Sequence, residues 1–109
     1  MELIQKITDL SRGRYMLTTL HGTRHFLDLE AGIVIRNPAE GREWSDPSLT
    51  PDGMPFRIGN YEGSIESIYW DEDSQGAARA HDIRLGARIH FQNANEWRLT
   101  SALQTIEKL

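Results

Sequence analysis

The stretch from Asp71 to Asp82 has the spacing of a calcium loop. Asp71, Asp73, Gln75, Gly76 and Asp82 fall at its first, third, fifth, sixth and twelfth positions. Ca²⁺ takes about six to eight oxygens, and alternate carboxylates around a glycine turn supply them. Three features argue against the assignment. Gln75 is neutral, Asp82 is short for a bidentate reach, and the residues before Asp71 read as a strand rather than a helix. A solvated acidic turn between two strands fits these residues better, and no metal or cofactor is expected.

The four histidines form no ligand pattern either. His21 and His25 would share a helical face but fall on a turn and a strand, while His81 lies in a loop and His90 on a strand. Metal spacing needs convergence that these positions do not offer. Cysteine is absent, which removes thiolate chemistry and disulfides. There is no Gly-x-Ser-x-Gly elbow, no phosphate-cradling glycine loop and no dinucleotide fingerprint. The chemistry left is recognition by charge.

That charge is unevenly placed. The net charge is −4. Residues 28–82 hold 12 acidic and 4 basic side chains, or −8; the remainder holds 4 acidic and 8 basic, or +4. The basic excess is split between the two ends of the chain, and three arginines fall on the segment Ile83 to Ser101. Ile83, Leu85, Ala87, Ile89 and Phe91 alternate with Arg84, Gly86, Arg88, His90 and Gln92, the period of a strand with one buried face. Asn93-Ala94-Asn95-Glu96 makes a turn, and Trp97, Leu99 and Ser101 resume the alternation. Pairing Phe91 with Trp97 and Ile89 with Leu99 places all four on one face, which gives the expected core. The same register gathers Arg84, Arg88, His90 and Arg98 outside. Arginine suits planar acceptors such as carboxylate and phosphate. A protein partner or a second copy is therefore expected, with Trp44 as a further interface residue. Nucleic acid is the alternative, disfavoured by the negative net charge. A hydrolase with its site under residues 37–55 is the third reading.

The remaining elements must position this hairpin. Leu3, Ile4, Ile7 and Leu10 share a helical face, so Met1 to Ser11 reads as a short helix capped by Gly13. Arg14 to Leu20, Thr23 to Leu29 and Ile33 to Arg36 read as three strands with tight turns at His21-Gly22 and Glu30-Ala31-Gly32. Asn37 to Pro55 carries all four prolines and reads as a long loop, with Trp44, Leu49 and Met54 as tethers. Phe56 to Ile58 and Ser64 to Trp70 read as strands, and Asp71 to Ala80 as a polar loop. The segment after Ser101 reads as a short final strand or a single turn.

Together these residues predict one domain over 1–109, mainly β, built as a small antiparallel barrel or rolled sheet with an N-terminal helix. The final segment, Gly86 through Phe91 and then Trp97 through Ile106, resembles the closing strands of SH3-like barrels and of small bacterial and phage-borne β-domains. That resemblance implies a fold class and no shared activity. No apolar run approaches the roughly 20 residues of a membrane span. With no leader pattern and no cysteine, a cytoplasmic location is expected.

Overall fold

The computed structural model describes residues 2–41, 49–73 and 75–109. The chain is mainly β and antiparallel. In order the strands are β1 (Glu2–Ile4), β2 (Lys6–Ile7), β3 (Arg14–Thr19), β4 (Arg24–Asp28), β5 (Ile33–Asn37), β6 (Pro55–Arg57), β7 (Ile65–Asp71), β8 (Gly76–Ala80), β9 (Ile83–Arg84), β10 (Arg88–Gln92), β11 (Trp97–Leu99) and β12 (Leu103–Lys108). One sheet runs β1-β12-β3-β4-β5-β6, a second runs β11-β10-β7-β8, and β2 pairs with β9.

The β3–β4–β5 meander forms where strand-forming runs and turn residues predict it. Leu17, Leu27 and Val34 point inward, and Phe56 on β6 joins them. The second sheet contributes Ile65, Ile89 and Phe91 to the same core, and β12 adds Leu103 and Ile106. Backbone bonds link the sheets at their corners. Gly86 and Ala87 exchange bonds with Leu103, and Gly59 N–H donates to the Gln92 carbonyl. The sheets wrap one core but do not close into a barrel, which corrects that part of the expectation.

No N-terminal helix forms. Leu3 and Ile4 pair with Glu107 and Ile106 of β12, and Lys6 and Ile7 pair with Arg84 and Ile83 of β9. A helix this short has little stability of its own, whereas each pairing supplies backbone bonds and buries Ile7. Gly13 ends no helix. It turns the chain into β3 at φ +104°, and a Cβ there would lie 2.8 Å from the Tyr15 ring. The loop expected over Asp71 to Ala80 contains β8, which pairs with β7.

The hairpin register also differs from the expected one. Gln92 pairs with Trp97, Phe91 with Arg98 and His90 with Leu99. The cause is the turn. Asn93 Oδ1 accepts from the N–H groups of Asn95 and Glu96, both at 2.8 Å, and Asn93 N–H donates to the Glu96 carbonyl. This closes the loop around Ala94 and Asn95, and asparagine is the residue for such a turn. A one-residue slip flips every side chain. Ile89 and Phe91 therefore stay in the core, while Trp97 is 62% exposed and Leu99 lies beside it at the surface.

Phe91 is 1% exposed. Phe91→Ala should cost about 3–5 kcal/mol in urea unfolding. Trp97→Ala should cost less than about 1 kcal/mol. The reverse ranking would restore the register in which Trp97 is buried.

Candidate functional site

The slip turns two polar residues inward, Arg98 on β11 and Thr100 just after it. Thr100 lies opposite Ile89. Its N–H donates to the Ile89 carbonyl, and its Oγ1 accepts from Ile89 N–H at 2.9 Å and donates to the Ser101 carbonyl. Arg98 lies opposite Phe91 with its side chain 16% exposed. Its guanidinium sits 5.4 Å from the centre of the Phe56 ring, a cation–π contact.

Between this strand and the inner face of β3–β6 lies a cavity of about 530 Å³. Val34, Phe56 and Phe91 give it apolar walls. Thr19, Thr23, His25, Arg36, Glu96, Arg98 and Thr100 add polar ones, and Leu49 closes one side. The residues after Leu49 are pinned down. Thr50 donates its N–H and hydroxyl to the Glu96 carboxylate at 3.1 and 2.9 Å, and Arg98 Nη2 donates to the Thr50 carbonyl. Asp52 pairs with Arg36 at 2.7 Å. Thr50 and Asp52 thus hold this stretch, Leu49 lines the cavity, and Met54 is exposed.

His25 is buried in this wall. Burial first, then the charges of Arg36 and Arg98, push its pKa down to about 4, with Asp52 opposing. Burial likewise lowers the Arg98 pKa, with Glu96 and Asp52 opposing.

The expected outward row of cations is not assembled. Arg98 faces inward. Arg84 is held by Asp82 through Nε at 3.0 Å and Nη2 at 2.5 Å and lies 4.3 Å from the Tyr69 ring centre. Arg88 is exposed, but its Nε donates to the Thr100 carbonyl at 3.0 Å. His90 packs edge-on against Trp97 with ring centres 5.9 Å apart, and burial lowers its pKa. Trp44 lies outside the described residues. What the outer face of the second sheet does carry is Trp97, Leu99 and Trp70, the last 71% exposed.

The calcium candidates are also separated. Asp71 and Asp73 sit at the β7–β8 turn, where Asp71 Oδ1 accepts from Asp73 N–H. Asp82 lies near the other end of β7, where its carbonyl accepts from the Ser67 hydroxyl. Its carboxylate is bound by Arg84 and Lys6, and the Arg84 hydrogen bonds hold its pKa below the usual value. His21 and His81 are exposed and His25 is interior. Among the described residues no three His, Asp or Glu side chains converge as a metal site.

Sequence reasoning missed Arg98, Thr100 and His25 as cavity residues. One signal was present: Asn93 and Asn95 flanking Ala94 favour the tighter turn, which sends Arg98 inward. No family model, no curated protein and no solved structure matches the chain. Among the described residues no helix is long and apolar enough to cross a membrane.

His25 makes stability depend on pH. Its folded pKa of about 4 lies below the roughly 6.5 of an unfolded histidine. The unfolded chain then binds more protons between these values, so stability falls as pH drops through that window. Acidification from pH 7.5 to 5 should remove about 2 kcal/mol through this residue, and half-buried His90 should add a smaller loss of the same sign. Urea titrations should show a shallower loss in His25→Asn. An equal loss would mean that His25 is not held neutral.

Proposed function

We propose that this domain is a non-catalytic binding module whose ligand occupies the cavity between β11 and the β3–β6 face. The cavity carries this reading. Its volume of about 530 Å³ falls within the ~300–1,000 Å³ of small-ligand sites. Apolar walls with a few fixed polar groups are the usual composition of such sites. A catalytic reading has less support. The Thr100 hydroxyl is occupied by Ile89 and Ser101, and no wall hydroxyl among the described residues bonds the His25 ring. The hydrolase reading placed its site in this region, and the same geometry weakens it.

A protein partner, as expected from sequence, is the second reading. Trp97 and Leu99, neighbours on the exposed side of β11, favour it, since exposed apolar patches mark contact surfaces; Trp70 lies toward the other end of the same face. The occupant we favour there is a second copy of this chain. The face carries both signs of charge, with Glu66 paired to Arg79 at 2.8 Å and Arg88 nearby, so it can complement itself. Nucleic acid falls behind both readings, because Arg84 is held by Asp82 and Arg98 faces the interior rather than the outer surface.

Two measurements test these readings. The neutral dye N-phenyl-1-naphthylamine should give a saturable fluorescence rise, weakened at least tenfold in Val34→Phe, which fills the cavity. A linear, unsaturable rise would remove the cavity reading. Sedimentation should show a dimer that Trp70→Ser with Trp97→Ser dissociates. A monomer at all concentrations would remove the second reading.

A further inference from the structure

Resting on the cavity reading, we propose that the ligand is a small apolar monocarboxylate, with its acid group at Arg98 and its body against Val34, Phe56 and Phe91. Charge selects the acid. Arg36, Arg88 and Arg98 line the cavity with Glu96, and Asp52 pairs with Arg36. Three positive and two negative groups leave a charge of +1 among the described residues. A monoanion balances that charge, whereas an amine would double it and a phosphate dianion would overshoot it.

The excess falls on Arg98. Asp52 offsets Arg36. Arg88 reaches a carbonyl at the rim. Glu96 spends its oxygens on Thr50 and lies 3.9 Å from Arg98. Arg98 Nη2 donates to a neutral carbonyl, and its ion pair with Glu96 is long at 3.9 Å.

A second observation points to the same place. Arg98 Nε and Thr19 Oγ1 are buried with no hydrogen-bond partner among the described residues, and both residues line the cavity. Thr19 itself is 1% exposed. Buried donors are almost always satisfied, and an orphan is costly. A guanidinium edge is the group that binds a carboxylate through paired N–H donors. Its low-dielectric setting strengthens that interaction. The apolar share of the wall sets the rest of the molecule, since Val34, Phe56 and Phe91 offer no polar partner.

The test uses three probes with one body. 4-Phenylbutyrate, 4-phenylbutyramide and 4-phenylbutylamine are each made to displace N-phenyl-1-naphthylamine from the whole chain. The acid should displace the dye at a concentration at least tenfold lower than the amide, and the amine should be weakest. Arg98→Gln should bring the acid to the amide's level, while Arg98→Lys should keep the acid preference. Thermal melts establish that each variant is folded; if Arg98→Gln is not, the wild-type ratio of acid to amide decides. Equal displacement by acid and amide would overturn the proposal and leave the cavity reading intact. Absence of dye binding would instead overturn the cavity reading itself.

Discussion

The arrangement depends on how Thr100 meets Ile89. Two backbone groups of Ile89 are taken by one residue, through its N–H and its hydroxyl. Asn93 fixes the same register from the turn, where its carboxamide holds two N–H groups. Its Nδ2 also donates to the Arg57 carbonyl, which ties the turn to β6. Register in a strand pair is all or nothing, because neighbouring side chains point to opposite faces. These few bonds therefore decide that Arg98 faces the interior and that Trp97 faces solvent. Burial of Trp97 and Leu99 would have gained apolar contact. It would also have undone the Asn93 turn and left the Ile89 N–H without its hydroxyl partner, a loss of comparable size.

Hydroxyls play this part elsewhere in the core. Ser67 is fully buried between two inward apolar neighbours on β7, Ile65 and Tyr69. Its hydroxyl donates to the Asp82 carbonyl and accepts from Arg84 N–H. The chain there leaves β8 and enters β9, where backbone groups fall out of ladder pairing. Ser64 does the same at Tyr61, bonding both its N–H and its carbonyl. Short strands that change partners leave many such groups, and each needs an acceptor or donor within reach. Small hydroxyl side chains meet that need without the volume of an amide.

What the sequence conveys follows from this. β3, β4, β5 and β7 are legible as short runs rich in apolar, aromatic and β-branched residues between turn residues, β10 by its alternation in polarity, and the final strand forms where one of two readings placed it. The N-terminal helix misleads because Leu3, Ile4, Ile7 and Leu10 satisfy a helical spacing. Their actual partners, Ile106 and Ile83, lie at the far end of the chain, and local pattern cannot report them. β8 is hidden because alanine and glycine carry no alternation, and its pairing with β7 alone makes it a strand. The candidate site was misplaced by a single residue of register. Weighing apolar burial over turn chemistry put Arg98 outside and lost the cavity with it. The acidic loop reads correctly as a turn, since Asp71 caps its own backbone two residues on.

His25 then sets the conditions under which the cavity keeps its charge. Its ring lies among Arg36 and Arg98, and burial adds to their repulsion of a proton. Above its folded pKa of about 4 the imidazole is neutral, so the charge of the wall is set by arginines and carboxylates alone. Across the neutral range His25 therefore adds no charge to the wall. Forcing a proton onto His25 would place a third cation among buried groups, which the folded state resists and the unfolded state accepts. The burial that keeps His25 uncharged in the cavity wall is thus also what makes the fold sensitive to acid. Relieving one by replacing His25 alters the other, because both arise from burying an imidazole beside two guanidiniums.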